Sequence, residues 1–180
     1  SIIAKLLSGG LYTPIFLTHH YGFDTHNNQL NDHNNLLNQM SNSISAFFQD
    51  LANSGLKDRV VLLTTSEFGR RPFENGSAGT DHGAGAPQLL FGGKVKGGIY
   101  GSNPNLTDFD NNANLLHEFD FRQLYATLMA QWFELDQVEI ENILYHQFET
   151  FPLIDNRFSQ VSYPSGKEAD LSIPKHYELS

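Results

Sequence analysis

The sequence contains no cysteine, so neither disulfide bonds nor thiolate metal ligands are available to it. Any metal site must therefore use carboxylate oxygen and imidazole nitrogen. Cations are also scarce, because 11 Lys and Arg stand against 20 Asp and Glu, for a formal net charge of −9. A chain with so few cations cannot neutralise a long run of phosphates, which argues against nucleic acid or an anionic membrane surface as a partner.

Long apolar runs are absent too, and none approaches the roughly 20 residues of a membrane-spanning helix. The first ten residues, SIIAKLLSGG, lack the charged, apolar and cleavage regions of a signal peptide. The apolar content, at 39% hydrophobic residues, is nevertheless sufficient for one core. We expect one α/β unit at residues 1–154, followed by an irregular tail at residues 155–180.

Hydrophobic spacing in the first half predicts alternating strands and a helix. The run YTPIFLT, residues 12–18, predicts a buried strand, and helical spacing from Leu36 to Leu51 predicts an amphipathic helix. The apolar run at residues 58–65, DRVVLLTT, is typical of a parallel strand covered on both faces. A strand, a helix and a strand in this order favour a right-handed βαβ crossover.

The remaining segments are predicted from the same kinds of signal. The Gly-rich stretch at residues 66–86 predicts a long loop, and PQLLFGG and GGIYG predict strand pieces around a turn. Helical spacing at residues 121–133 and 138–148 predicts two more helices. The opening IIAKLL is predicted to be the end of a helix that Gly9 and Gly10 close.

Acidic, basic and imidazole side chains follow both predicted strands. They are Asp24 and His26 after the first strand, Glu67 and Arg70 after the second, and Asp81 and His82 in the Gly-rich stretch beyond. Ligands of open α/β sheets bind outside the carboxyl ends of the strands, so we expect these groups to converge at one edge. Carboxylate and imidazole ligands without thiolates suit zinc, manganese or iron.

Each of these residues also has an ordinary structural interpretation. Asp24 could serve as an N-cap or in an Asx turn, and Glu67 with Arg70 could form a local ion pair. Under this interpretation the acidic side chains would point apart, and each substitution by Ala would cost about 1 kcal/mol, as a lost cap does. The residues alone leave both interpretations open.

Several long stretches together resemble a known bacterial family. They are GFDTHNNQ, DHNNLL, SEFGRRPFENGSAGTDHG, FGGKVKGGIYG with NPNLTD, and DFRQLYATLMAQWF. In this order, over residues 1–153, the chain resembles the C-terminal part of the family named domain of unknown function 1501. The resemblance implies that a further part of the domain precedes this chain in family members, and that the protein is periplasmic or exported.

That family is similar to the alkaline phosphatase and sulfatase superfamily. The similarity implies a three-layer α/β/α sandwich, of which this chain would be an incomplete C-terminal segment. It implies a divalent ion, with zinc ahead of manganese, iron or calcium. The implied metal ligands are Asp24, Glu67 and His82, with Asp81 and His26 beside them.

The implied activity is metal-dependent hydrolysis of a small anionic phosphate or sulfate ester. Arg70 would be the catalytic residue that holds an anionic ester oxygen. Phe68 stands where many superfamily members have a histidine, which argues against a complete two-metal site. The nucleophile would come from the preceding part of the domain. An incomplete sheet would leave an open edge, so we expect association with that part or with a second copy. The alternative is a non-catalytic exported binding module of the same fold that recognises a glycan or a protein.

Overall fold

The computed structural model describes residues 1–155, and the tail predicted at residues 155–180 lies outside the described residues except for Asp155. Two helices, four short strands and two further helices follow one another in the order α1 (Ile2–Ser8), α2 (Gln29–Asn53), β1 (Val61–Leu63), β2 (Gly69–Glu74), β3 (Thr80–Gly83), β4 (Leu90–Gly92), α3 (Phe121–Gln131) and α4 (Gln137–Leu144). The described part therefore mixes helices with small sheets, in agreement with the α/β class.

The two N-terminal helices follow the sequence prediction. α1 begins at Ser1, whose hydroxyl accepts a hydrogen bond from the amide of Ala4, and Gly9 closes it as predicted. α2 contains the predicted helix and is longer, with 25 residues, because it begins directly after Asn28. Asn28 has a left-handed backbone conformation, with φ of 43°, so it turns the incoming chain into the helix.

The predicted parallel crossover is wrong for the described residues. β1 pairs with β4 in an antiparallel ladder in which Leu62 lies opposite Phe91. The apolar run at residues 58–65 does form a strand, but only three of its residues join the ladder. Apolar composition predicts that a strand is covered; it does not specify the partner strand or its direction.

The predicted buried strand at residues 12–18 is also wrong. The segment has no regular secondary structure, and its side chains are largely exposed, with Ile15 at 69% and Leu17 at 74%. A strand requires a neighbouring backbone to pair with, and no described residue pairs with the backbone of this segment. The second predicted strand piece, GGIYG, lacks a ladder for the same reason, and Ile99 within it is 95% exposed.

The Gly-rich stretch predicted to be a loop is in fact a β-hairpin. β2 and β3 pair antiparallel, with Arg70 opposite His82 and Glu74 opposite Thr80. The register shifts between Arg70 and Glu74, as it does at a β-bulge. The hairpin turns over at residues 75–79, where the amide of Asn75 donates to the carbonyl of Gly79 at 2.8 Å.

The C-terminal helices were predicted correctly, and each begins with a capping box. Asp120 and Gln123 form the box of α3, and Asp136 and Glu139 form that of α4. α4 ends at Leu144, earlier than predicted, because Tyr145 adopts a left-handed conformation with φ of 56°. The buried apolar residues of the described part are Ala4, Leu51, Ala126, Ile140, Leu153 and Ile154. Four of these six lie at or beyond α3, so the densest packing is C-terminal.

Within residues 1–155 no helix combines the length and the apolar content that crossing a membrane requires. The sheets found there have two strands each. Backbone bonds join residues 94–96 to residues 153–155, which brings the C-terminal end of the described chain alongside β4.

Candidate metal centre

Asp24 and His26 lie on a segment without regular secondary structure that leads into α2. The turn of the hairpin holds this segment: Asn75 donates from Nδ2 to the carbonyl of His26 at 3.0 Å. Two backbone bonds of 3.2 and 3.0 Å also join residues 28–29 to residues 77–78. The segment that carries two site residues is therefore fixed by the hairpin turn, and not by the strand that the sequence predicted.

Gly79 makes this close docking sterically feasible. Gly79 is buried, and a Cβ atom built on it would lie 2.3 Å from the carbonyl carbon of His26. Asn75 shapes the turn from inside, because its Oδ1 accepts hydrogen bonds from the amides of Ser77 at 2.9 Å and Gly79 at 3.2 Å. Any side chain at position 79 must displace the backbone of His26.

His82 reaches the same point from β3. It lies opposite Arg70 in the ladder, next to the facing pair Gly69 and Gly83. A Cβ atom on Gly83 would lie 2.6 Å from the carbonyl carbon of Arg70, so the strands approach closely here. The hairpin thus delivers His82 to the segment that carries Asp24 and His26.

Three potential ligand atoms converge where these elements meet. Oδ1 of Asp24 lies 2.8 Å from Nε2 of His82 and 3.0 Å from Nε2 of His26. The two Nε2 atoms are 3.1 Å apart. We call this arrangement the Asp–His triangle. Among residues 1–155 it is the one group of three His, Asp or Glu side chains whose ligand atoms all lie within 4.8 Å of one another.

Hydrogen bonding alone cannot satisfy all three edges of the triangle. Each imidazole Nε2 has either one N–H or one lone pair in the ring plane, and the ionised carboxylate only accepts. If both Nε2 atoms carry hydrogen, the edge between the two rings has no acceptor. If one does not, its lone pair faces the lone pairs of Asp24. A cation, in contrast, accepts electron density from all three atoms at once.

The dimensions and the donor set also fit a bound transition metal. Zinc lies about 2.0–2.2 Å from imidazole nitrogen and carboxylate oxygen, which separates ligand atoms of a tetrahedral site by roughly 3.3 Å. The edges of the triangle are only a few tenths of an ångström shorter. Two imidazoles with one carboxylate leave a coordination position open, as catalytic zinc sites do. Calcium prefers six to eight oxygen ligands, so the imidazoles favour zinc, iron or manganese.

Asp81 lies behind His26 and outside the triangle. Its Oδ1 is 3.5 Å from Nδ1 of His26, the ring nitrogen that does not face Asp24, and 3.4 Å from Nδ2 of Asn75. A carboxylate at Nδ1 favours the tautomer in which Nε2 carries the lone pair. The structure therefore places Asp81 where it can orient a metal-ligating ring, whereas the sequence predicted Asp81 as a ligand.

Phe68 lies against the other imidazole. Its ring stacks on His82 with a centroid distance of 3.6 Å and an interplanar angle of 10°. The guanidinium of Arg70 also lies over the Phe68 ring, with its central carbon 5.2 Å from the centroid of that ring. This packing restricts rotation of His82. The aromatic residue at this position thus supports the triangle, although it offers no ligand atom.

The surroundings favour the charged form of Asp24. The hydrogen bond from His82 lowers the pKa of the Asp24 carboxyl, partial burial opposes this, and the nearby charges of His26, His82 and Arg70 lower the pKa further. An ionised carboxylate is the form that ligates a metal. Asp24 therefore offers an ionised oxygen atom to the other two members of the triangle.

Glu67 is the sequence-predicted ligand that the structure does not bring into the triangle. Glu67 is exposed, and the position against His82 is occupied by the next residue, Phe68. The local ion pair considered for Glu67 and Arg70 is also not formed, because Arg70 directs its donors to the carbonyls of Phe23 and Thr80. Of the five predicted metal ligands, Asp24, His26 and His82 meet directly.

The model of the family described as "Protein of unknown function (DUF1501)" matches residues 4–144. The chain belongs to this family. The match extends from Ala4 in α1 to the end of α4 and includes every residue of the Asp–His triangle, in agreement with the resemblance seen in the sequence. No curated protein and no solved structure matches the chain.

Two residues that support the site of this DUF1501 protein were not predicted as functional. Asn75 and Phe68 hold the 26–29 segment and the His82 ring, respectively. The dipeptide Asn75–Gly76 is a common turn signal, and it could have revealed the hairpin. The stacking of Phe68 on His82 has no local signal, since residues fourteen positions apart meet only through the hairpin register.

Proposed function

We propose that this DUF1501 protein is part of a metal-dependent hydrolase that acts on a phosphate or sulfate ester, and that the Asp–His triangle holds its divalent ion. The observation that supports this proposal is the convergence of three ligand atoms, from Asp24, His26 and His82, within 3.1 Å of one another. Zinc is the proposed ion, since imidazole and carboxylate ligands in this number suit it best.

The described residues would hold the ion and leave it open to a substrate. A divalent ion at such a site polarises an ester oxygen and lowers the pKa of the attacking group. The side chains of Asp24, His26 and His82 are 63%, 46% and 45% exposed, so a small anionic ester can approach from solvent. Asp81 would keep Nε2 of His26 available for the ion.

The proposal extends to the wider architecture implied by the resemblance. The chain would form the C-terminal segment of an alkaline-phosphatase-like three-layer α/β/α sandwich in an exported or periplasmic protein. The nucleophile would belong to another part of the family domain. Fold analogy does not establish an activity, so the metal and the hydrolysis need separate tests.

The metal is tested by titrating the chelator-treated chain with Zn²⁺, Fe²⁺, Mn²⁺ and Ca²⁺ and measuring bound metal after dialysis. We expect about one Zn²⁺ per chain, and loss of binding in the double variant His26→Ala/His82→Ala, which removes two of the three ligands. The matched control is His146→Ala, since His146 is exposed and contacts Phe148 instead of the site. Equal binding by the wild type and the double variant would contradict the proposal.

The reaction is tested on the zinc-loaded protein with an aryl phosphate and an aryl sulfate, each compared with the double variant. Release of the aryl group that depends on both zinc and the two histidines supports hydrolysis. Zinc binding without any hydrolysis, when the preceding part of the family domain is also supplied, would instead favour the alternative of a metal-stabilised binding module.

A further inference from the structure

Arg70 is the most strongly anchored cation near the Asp–His triangle. Its side chain is only 17% exposed, although it lies beside a solvent-facing site. Nη1 donates to the carbonyl of Thr80 at 2.6 Å, and Nη2 donates to the carbonyl of Phe23 at 2.5 Å. Hydrogen bonds from a charged donor are stronger than those between neutral groups.

These two carbonyls belong to the two parts of the chain that build the triangle. Phe23 directly precedes Asp24, and Thr80 lies on β3 two residues before His82. Arg70 therefore bridges the Asp24 segment and the His82 strand through one planar group. Nη2 also lies 3.4 Å from the hydroxyl of Thr25, which is the residue after Asp24 and is buried.

Arg70 does not compete with the histidines for the Asp24 carboxylate. Nη2 is 3.9 Å from Oδ1 of Asp24, whereas the two Nε2 atoms are 2.8 and 3.0 Å from the same oxygen. The guanidinium also rests on the ring of Phe68, the residue that stacks on His82. Its donors are thus directed at backbone carbonyls, and its face is directed at an aromatic ring.

From these contacts we propose that Arg70 is a positioning residue, which holds Asp24 and His82 in ligating geometry, and that it does not bind the anionic ester oxygen itself. This inference rests on the proposed metal site and gives Arg70 a different role from the direct catalytic one predicted from the sequence. A guanidinium suits this role because its fork donates along two directions at fixed geometry, which a lysine ammonium cannot reproduce at the same two carbonyls.

The test compares Zn²⁺ affinity, with no substrate present, of the wild type and Arg70→Lys, by competition with a chromophoric chelator. We expect Arg70→Lys to weaken Zn²⁺ binding about 10- to 100-fold, as the loss of an orienting partner does. The matched control is Arg71→Lys on the same strand, for which we expect unchanged affinity because the charge of Arg71 acts on Asp110, outside the triangle. Thermal unfolding of each variant shows whether an effect reflects the site or the whole fold.

Inorganic phosphate distinguishes the two roles of Arg70. If Arg70 bound the anion directly, Arg70→Lys would leave Zn²⁺ affinity unchanged and weaken only the binding of phosphate to the zinc-loaded chain. That result would overturn the positioning role while leaving the metal site intact.

A second measurement needs no metal. In the metal-free chain, the imidazole NMR signals of His26 and His82 report their contacts with Asp24, and we expect both signals to shift in Arg70→Lys and neither to shift in Arg71→Lys. If the wild type binds no Zn²⁺, the proposed function fails by itself, and these signals still decide the inference. Signals that are identical in the wild type and Arg70→Lys would overturn it.

Discussion

The region around the Asp–His triangle and the C-terminal helical region are held together in different ways. In the helical region, α3 and α4 begin with capping boxes between residues three apart, and Thr127, Ile140 and Ile154 are almost fully buried. In the triangle region, the contacts between the Asp24 segment and the hairpin join residues 45 to 58 positions apart, and the site side chains face solvent. Helix caps and buried side chains thus stabilise the C-terminal helical region. Close backbone approach and side-chain hydrogen bonds between distant residues stabilise the region around the triangle.

This difference predicts that substitutions should affect the two regions separately. A change in the hairpin turn should abolish metal binding with little effect on the helices, and a change in the helical packing should lower stability without changing the metal affinity. The prediction of independent effects is wrong if a change in either region alters both the metal affinity and the stability of the helices.

The largest effect is expected for Gly79→Ala, because the new Cβ atom would lie 2.3 Å from the carbonyl carbon of His26. The backbone of His26 must then move, and we expect Zn²⁺ affinity to fall about 100-fold, together with the roughly 1–3 kcal/mol that overpacking costs. Zinc titration and urea unfolding measure the two quantities.

The control for this substitution lies in the same turn. A Cβ atom on Gly76 meets nothing within 4 Å, so Gly76→Ala should leave both quantities unchanged. Neither glycine has a positive φ that alanine would resist, so the comparison isolates the steric contact. Equal Zn²⁺ affinity in the two variants would show that the turn does not hold the His26 segment.

A smaller effect, limited to stability, is expected for Thr127→Val in α3. The buried hydroxyl of Thr127 donates to the carbonyl of Gln123 at 2.7 Å and accepts from the amide of Phe151 at 3.0 Å. Valine keeps the shape but leaves that amide unsatisfied, which costs about 1–3 kcal/mol of the free energy of unfolding. Zn²⁺ affinity should not change. Thr127→Ser keeps the hydroxyl and should retain most of this hydrogen bonding. Weakened Zn²⁺ binding in Thr127→Val would show that the helical region and the triangle region are not independent.

The smallest effect concerns pH and the cap of α3. The hydrogen bond from Arg122 lowers the pKa of Asp120 from 3.8 to about 2, against the opposing effect of partial burial. Because the folded-state pKa is the lower one, this carboxylate stabilises the fold above pH 3.8, and the contribution is lost as the pH falls toward about 2.

Asp120→Asn isolates this charge, since asparagine is also a good N-cap. We expect the difference in the free energy of unfolding between the wild type and Asp120→Asn to shrink as the pH is lowered through this range. Asp120→Ala, which removes the cap as well, should cost about 1 kcal/mol at neutral pH. A difference that stays constant from neutral pH to pH 2 would contradict the assigned role of the Arg122 contact.

The same contrast explains what the sequence could predict. Local hydrophobic spacing predicts α2 from Leu36 to Leu51, although not its first turns from Gln29, and it predicts α3. The capping residues Asp120 and Asp136 are signals for the starts of α3 and α4 that the sequence contains. Strand pairing depends on residues that are distant in the chain, so the apolar runs at 12–18 and 58–65 could not identify their partners. In the structure the run at 58–65 pairs with β4, whereas the run at 12–18 pairs with no described residue.

The candidate site shows this limit most clearly. Asp24, His26 and His82 were named from residue chemistry, and the structure brings them together although the parallel sheet expected to do so is not present in residues 1–155. Glu67 was predicted on the same grounds, but it is exposed, and the neighbouring Phe68 faces His82 instead. Ligand chemistry alone does not determine which of these two neighbours faces the site.

The spacing of the triangle along the chain has a thermodynamic consequence. His82 lies 56 and 58 positions from His26 and Asp24 in the chain, so an ion bound to all three would close a long loop. In a protein without cysteine, such an ion would be a reversible cross-link. An ion that binds only the folded chain raises the free energy of unfolding by about 2.7 kcal/mol at a hundredfold excess over its Kd. The concentration of free ion would then determine the fraction of molecules in which the hairpin and the Asp24 segment are docked.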